Sequence, residues 1–205
     1  MRSSKPSVTV DGGHVLLGVN EKLFFPAPSF AIRGGCFTAN TGQYRDLEAY
    51  VFGLLDAIGF DNGAAHIEIM LTEHGPAVIE INPRLVGARI PRLLSASLQR
   101  SVHADLLALH AQGQLPVPPR SGRCAVTRWL SAAQPGVLQQ IALSPPADAE
   151  NVEVVIVAKP GDAVSPAYDN ADRLCCVIVN GDDRRDVEAL ADRIVAESEI
   201  KIAAD

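Results

Sequence analysis

The chain has 205 residues, of which 47% are hydrophobic and 20% charged, so it is long and apolar enough to bury a core. Its 18 basic and 24 acidic residues give a net charge of −6, the opposite of the balance typical of proteins that bind nucleic acid through phosphates. The sequence has neither an apolar run of the ~20 residues that span a membrane nor a signal-peptide pattern after Met1. These features disfavour nucleic-acid binding, membrane insertion and secretion, and they predict a cytoplasmic protein.

The first third of the chain predicts strands followed by a helix. Two apolar runs, 7–10 and 15–19, flank Asp11-Gly12-Gly13, which is a hairpin turn signal. A segment containing Gly34 and Gly35 reads as a loop, and the two glycines read as a turn. Apolar residues at helical spacing then predict a helix over 44–58, closed by a glycine.

The rest of the chain alternates between β-type and helical patterns. Short alternating runs at 64–72 and 76–82 predict two strands, and a helical region follows over 91–112. Strands are predicted at 124–130, 152–158 and 174–179, followed by an amphipathic helix with apolar residues between positions 187 and 195. The predicted class is α+β with a mainly antiparallel sheet and flanking helices. The breaker-rich segment before residue 120 divides the chain into residues 1–119 and a β-rich lobe, residues 120–205, that ends in a helix.

The four cysteines do not indicate a metal site. They form no CxxC pair and no cysteine–histidine cluster at zinc spacing. Cys175 and Cys176 lie in an apolar run, where cysteine behaves as a small hydrophobic residue. The sequence therefore predicts reduced thiols in a buried strand.

The informative stretch is the pair of alternating runs over 64–82. Side chains alternate along a strand, so His66 and Glu68 share one face, and Glu80 and Asn82 share one face of the next strand. Residues 73–75 fit a three-residue hairpin loop. Counting outward from that loop places Glu68 opposite Glu80 and His66 opposite Asn82.

Two carboxylates at this cross-strand distance, ~4.5–5.5 Å between Cβ atoms, repel unless a positive group lies between them. A shared proton or a divalent cation would satisfy them, and Asn82 adds a neutral oxygen. This oxygen set suits magnesium or manganese, so His66 is expected to be a neighbour of the ion rather than a ligand. Arg84 adds a group that binds phosphate or carboxylate. The alternative is a hairpin face that is polar only because it meets water.

The two runs resemble a known family. His-Ile-Glu-Ile-Met at 66–70 and Pro-Ala-Val-Ile-Glu-Ile-Asn-Pro-Arg at 76–84 resemble the metal-binding end of the ATP-grasp superfamily, in its carboxylate–amine (amino-acid) ligase branch. The resemblance implies that Glu68, Glu80 and Asn82 hold magnesium ions that bridge the ATP phosphates. It implies that Arg84 is a catalytic residue that contacts the γ-phosphate or an acyl-phosphate.

The resemblance also reaches the segment before these runs. Gly-Val-Asn-Glu-Lys at 18–22 resembles the strand that follows the phosphate-covering loop of this branch. Lys22, at the end of that strand, is therefore a candidate ATP-binding residue beside Glu68 and Glu80. The alternative for Lys22 is an exposed lysine with no ligand.

The implied function is an ATP-dependent ligase that activates a carboxylate as an acyl-phosphate for attack by an amine, which forms an amide. The implied cofactors are ATP and Mg²⁺ (or Mn²⁺), and the implied substrates are a small-molecule carboxylate and an amine, one of them an amino acid. The alternative is a non-catalytic binding or assembly module that keeps the C-terminal ATP-grasp fold. The fold predicted for both is a metal-binding lobe followed by a β-rich C-terminal lobe.

The chain departs from the family pattern in three places. A single Gly87 follows the Asn-Pro-Arg segment, and Leu-Gln-Arg-Ser at 98–101 stands where the family tends to have a glycine between two helices. The chain also shows no glycine-rich phosphate loop. We therefore expect an N-terminal ATP-grasp half, or a partner chain, to complete the site, and we expect the 205 residues alone to be inactive. An apolar face left by the absent half would favour self-association as a homodimer.

Overall fold

The computed structural model describes residues 2–39, 42–118 and 123–203, which form twelve strands and four α-helices. The helices are α1 (Arg45–Ala57), α2 (Ile90–Leu98), α3 (Val102–Gln112) and α4 (Arg184–Ala196). The strands are β1 (Arg2–Val10), β2 (Gly13–Leu16), β3 (Val19–Phe24), β4 (Ile32–Thr38), β5 (Gly63–Thr72), β6 (Gly75–Asn82), β7 (Cys124–Ser131), β8 (Gly136–Ala142), β9 (Val152–Ile156), β10 (Ala163–Val164), β11 (Arg173–Gly181) and β12 (Glu199–Ala203). No helix within these described ranges has both the length and the apolar composition to cross a membrane.

The chain forms two compact units. The first unit comprises Met1–Glu21 and Phe37–Cys124, and the second comprises Lys22–Cys36 and Ala125–Asp205. The strand pairings described in both units are antiparallel, which confirms the predicted α+β class. The domain boundary predicted between residues 119 and 120 lies outside the described residues and stays a prediction.

The sheet of the first unit has the strand order β6-β5-β1-β3, with β2 paired to β1. Helix α1 places Leu47, Val51 and Leu55 on one stripe, four residues apart, and all three are buried. This stripe packs against Ile67 and Ile69 of β5. The apolar face of β5 is therefore covered by α1, as its alternation predicts.

A tight turn joins β1 to β2. Val10 pairs with Gly13, so the turn consists of Asp11 and Gly12, whose φ angles are 47° and 74°. Two consecutive positive φ angles are typical of the hairpin turns that match the twist of the strands, and glycine adopts them without a Cβ clash. The predicted turn is confirmed, but the strand predicted at 15–19 ends at Leu16, and β3 begins separately at Val19.

The second unit contains the strand order β4-β7-β11-β9 and a three-stranded sheet in the order β10-β8-β12. Helix α4 packs against β11 through Val187, Ala191 and Ile194, which are buried as predicted. Asp183 caps the start of this helix, since its side chain accepts hydrogen bonds from the backbone N–H groups of Arg185 and Asp186.

An ion pair between a buried arginine and an exposed aspartate also ties α4 to the sheet. The Arg128 side chain on β7 is 5% exposed and donates from Nε to Asp192 Oδ1 over 2.6 Å. Its Nη1 donates to the Thr127 carbonyl over 3.0 Å. A buried guanidinium needs such partners, because an unpaired buried charge is strongly destabilising.

Gly34 and Gly35 do not form the turn that the sequence predicts. Both lie inside β4, and a Cβ at Gly34 would collide with the backbone carbonyl oxygen of Thr127. Gly34 is therefore required by the close approach of two backbones, a use of glycine that looks like a turn signal in a single sequence.

The helical region predicted over 91–112 is two helices. Gln99 ends α2 in a left-handed conformation with φ 53°, and the Ser101 side chain caps α3 by accepting from Ala104 N. Gln99 thus adopts the left-handed conformation in which helices more commonly end with glycine, so the break between the helices forms without glycine.

Replacing Gly34 with alanine tests the close approach of β4 and β7. We expect Gly34→Ala to lower the free energy of unfolding by about 1–3 kcal/mol, because the backbone must shift to admit a Cβ. Gly53→Ala is the matched control, since Gly53 lies in α1 with open space around its Cβ position. It should raise the free energy by about 0.5–1 kcal/mol through helix propensity. Denaturant unfolding measures the free energy of unfolding of both variants. Equal changes in the two variants would contradict a close approach of β4 and β7 at Gly34.

The cysteines provide a second test of packing. Cys36, Cys124, Cys175 and Cys176 are all buried, as predicted for the pair in β11, and burial raises the pKa of Cys175 to about 12. Only the thiolate reacts, so about one Cys175 in ten thousand is reactive at pH 8. We expect a disulfide reagent to modify Cys175 only after denaturation, as measured by mass spectrometry of digested protein. Rapid modification of Cys175 in the folded chain would show that β11 is not packed as described.

Candidate metal and phosphate site

The β5–β6 hairpin brings the two predicted carboxylates together. Glu68 pairs with Glu80 and His66 pairs with Asn82, as predicted. The Nε2 or Nδ1 atom of His66 and one carboxylate oxygen each from Glu68 and Glu80 all lie within 4.8 Å of one another. These side chains share the sheet face opposite α1, so the hairpin concentrates its polar groups at one point.

The route to this register differs from the prediction. Thr72 pairs with Gly75, so the turn contains two residues, Glu73 and His74, rather than three. The register then shifts between Glu68 and Ile69, where Ile69 pairs with Val78 and Glu68 pairs with Glu80. Ile79 is the extra residue of a β-bulge. The shorter turn and the bulge offset one another, which is why the predicted carboxylate pair is correct although the predicted loop is wrong.

Helix α1 contributes a hydrogen bond beside the bulge. The backbone N–H of Val78 donates to the Tyr50 hydroxyl over 3.1 Å. β6 is an end strand of the described sheet, and a side chain that satisfies one of its backbone donors fixes its position. Neither this contact nor the bulge leaves a periodic pattern, so neither is predictable from the sequence.

Asn82 and Arg84 continue the site from the end of β6. Asn82 Nδ2 donates to Glu80 Oε1 over 2.8 Å, which orients that carboxylate. The Arg84 backbone N–H donates to the Asn82 carbonyl over 2.8 Å, and its Nη1 donates to the Leu85 carbonyl over 3.0 Å. The Arg84 side chain is exposed. A guanidinium in this position can still meet an anion from solvent.

Lys22 belongs to the other unit of the chain. It is half-buried on β3 and is the first residue of the second unit, whereas the four hairpin residues belong to the first unit. Its predicted contact with ATP therefore stays a prediction.

The hairpin residues fit a divalent cation. Two ligand atoms on one magnesium ion lie roughly 3–4 Å apart, given bond lengths of about 2.1 Å in octahedral geometry. The separations within the cluster approach this range, and carboxylate oxygens are the donors that such ions prefer. A bound cation would relieve the repulsion between the facing carboxylates and so stabilise their pairing across the hairpin.

Almost the whole chain is similar to known proteins. Residues 128–203 match the family described as L-amino acid ligase C-terminal domain 2. The chain superposes on an L-amino acid ligase from Bacillus licheniformis with a TM-score of 0.85 and 17% identity, covering 98% of this chain and 52% of that one. The chain has the C-terminal portion of the ATP-grasp carboxylate–amine ligase fold. This confirms the predicted fold, and the match of residues 128–203 supports the predicted likeness to amino-acid ligases.

Two relatives are similar in sequence. The uncharacterized protein y4rH of Sinorhizobium fredii (strain NBRC 101917 / NGR234) is 29% identical over 95% of this chain and 44% of its own length. Dapdiamide A synthase of Enterobacter agglomerans is 36% identical over 30% of this chain and 15% of its own length. The chain spans less than half of either relative, so the activity of a whole ATP-grasp ligase is a proposal for this chain.

A divalent cation should stabilise the folded chain through the hairpin. An ion that binds only the folded state at 100 times its dissociation constant adds about 2.7 kcal/mol to the free energy of unfolding. We expect Mg²⁺ or Mn²⁺ to raise the melting temperature of the chain, and Glu80→Gln to abolish this rise because one ligand charge is lost. Without metal, Glu80→Gln should be at least as stable as the original chain, because the carboxylate repulsion is gone.

Glu73→Gln is the matched control for this measurement. Glu73 lies in the turn with its side chain 87% exposed, outside the carboxylate pair. It should keep the full metal-induced rise in melting temperature. A rise of the same size in both variants would show that the cation binds elsewhere.

Proposed function

We propose that this chain contributes the metal-binding and C-terminal parts of an ATP-dependent ligase that joins a carboxylate to an amine. The observation that carries the proposal is the facing pair of Glu68 and Glu80, beside Asn82 and followed by Arg84. The ATP-grasp carboxylate–amine ligase fold of the chain supports the same function. The proposed substrates are a small-molecule carboxylate and an amine, with an amino acid as one of them.

Each hairpin residue has a proposed role. Glu68 and Glu80 would hold Mg²⁺ or Mn²⁺, with Asn82 as a further oxygen ligand. The ion, when bound, would neutralise negative charge on the ATP phosphates. Arg84 would orient the transferred phosphoryl group and then the acyl-phosphate, because its planar guanidinium binds two oxygens at once.

Other groups are needed to complete the reaction. Lys22 is proposed to contact phosphate, and an N-terminal ATP-grasp half or a partner chain is proposed to supply the phosphate-covering loop. In the described residues, Gly12 and Gly13 belong to a hairpin and Gly34 and Gly35 to a strand, so these glycines do not form a phosphate loop. Phosphoryl transfer depends on positioning from several sides. We therefore propose that the 205 residues alone have negligible turnover. We also propose that the completed ligase works in the cytoplasm and that this chain self-associates.

The proposal is tested by turnover of the completed ligase. Glu80→Gln keeps the size of the side chain but removes a charge that holds the ion against the phosphates. Losing one electrostatic group of this kind costs ~2.7–4 kcal/mol of transition-state stabilisation, or about a hundredfold or more in turnover. The measurement is amino-acid-dependent ADP release at saturating magnesium.

Arg84→Lys extends this test to the phosphate contact. Lysine keeps the charge but loses the planar two-oxygen grip, so turnover should fall. Glu73→Gln, in the exposed turn, should leave turnover nearly unchanged. If Glu80→Gln and Glu73→Gln behave alike, the hairpin face is polar only because it meets water, and the non-catalytic module becomes the better description.

A further inference from the structure

His66 lies closer to the carboxylate pair than an oxygen-only metal site requires. Its side chain is 6% exposed, and its Nε2 atom is 3.7 Å from Glu68 Oε1. It belongs to the same group of ligand atoms within 4.8 Å as Glu68 and Glu80. The sequence indicated a neighbour of the ion, whereas the structure places a ring nitrogen among the candidate ligand atoms.

The Nε2 and Oε1 atoms lie within ion-pair distance of each other, and their separation also leaves room for a shared cation. A hydrogen bond between nitrogen and oxygen spans about 2.7–3.2 Å, so 3.7 Å is too long for one. Two ligands of one ion with metal–ligand bonds of about 2.1 Å lie roughly 3 Å apart when adjacent and about 4.2 Å apart when opposite. The observed separation lies between these two values.

The position of His66 is fixed by the sheet on both sides. On β5 it pairs with Asn82 of β6 and with Pro6 of β1, so its backbone lies between two strands. Exposure increases from His66, through Glu68 at 20% of its side chain, to the exposed Glu80. The imidazole therefore forms the buried side of the cluster, and Glu80 forms the side that solvent reaches.

We propose that His66 supplies a nitrogen ligand to the cation held by Glu68 and Glu80. This proposal rests on the proposed metal site and specifies which ions that site selects. Imidazole nitrogen suits first-row transition metals, whereas Mg²⁺ prefers oxygen ligands. A site with one nitrogen and two carboxylates therefore binds Mn²⁺ more tightly than Mg²⁺, and the nitrogen ligand accounts for part of that difference.

The test uses Mn²⁺ alone with the 205-residue chain and detects the ligand directly. Pulsed electron paramagnetic resonance of bound Mn²⁺ should show coupling to ¹⁴N, and the coupling should change to the ¹⁵N pattern when histidine is labelled with ¹⁵N. This readout requires neither activity nor a mutation. His66→Gln should remove the coupling and weaken Mn²⁺ binding roughly tenfold or more, with a smaller effect on Mg²⁺.

His74→Gln is the matched control. His74 lies in the hairpin turn with its side chain 89% exposed, and it should keep both the coupling and the Mn²⁺ affinity. Circular dichroism of His66→Gln separates ligand loss from misfolding, and the labelled original chain shows whether any histidine nitrogen binds the ion even if the variant does not fold.

The outcomes separate this proposal from the proposed function. Mn²⁺ binding that depends on Glu80 but shows no histidine nitrogen coupling would overturn the role of His66 and leave the carboxylate site intact. Coupling that persists in folded His66→Gln would also overturn it. Absence of any Mn²⁺ binding to the chain would overturn both this inference and the metal basis of the proposed function.

Discussion

The structure of the hairpin depends on one electrostatic constraint, which is that two carboxylates face each other across β5 and β6. Like charges in directly opposed positions destabilise a pair of strands. Glu68 and Glu80 are nevertheless paired, with His66 and Asn82 as the next facing pair. A bound cation would relieve the repulsion between these carboxylates. The hairpin is therefore the proposed functional site.

The β-bulge explains how this pairing coexists with a tight turn. A one-residue change of register moves side chains to the opposite face of a sheet. With the pairing of Thr72 to Gly75 continued without interruption, Glu68 would face Ile79, and Glu80 would lie on the apolar face with Ile67. The bulge at Ile79 instead keeps both carboxylates on the polar face, while α1 covers the other.

The second unit depends on backbone approach and buried charge rather than on a polar cluster. Gly34 permits β4 to approach the backbone of Thr127. The next residue, Arg128, forms an ion pair with Asp192 of α4. Arg173 also lies over the Trp129 ring, 4.0 Å from its centroid. Burial lowers the pKa of Arg173, with the charged form disfavoured by the loss of water. These contacts hold together the region that matches the L-amino acid ligase family, residues 128–203.

The sequence by itself determined the features that depend on local periodicity: α1, α4, the β5–β6 hairpin, the shared face of Glu68 and Glu80, and the α+β class. Alternation and helical spacing encode these features because each residue's face follows from its position along one element. Only the tertiary structure decided the two-residue turn and its compensating bulge, the place of Gly34 in a strand, and the nearness of His66 to the carboxylates. It also decided β8 and β12, which were not predicted, and whose pairing contains its own register shift near Lys201. These features depend on the exact register and approach of paired backbones, which hydrophobic periodicity does not encode, so the sequence shows them only as single glycine, histidine or isoleucine residues.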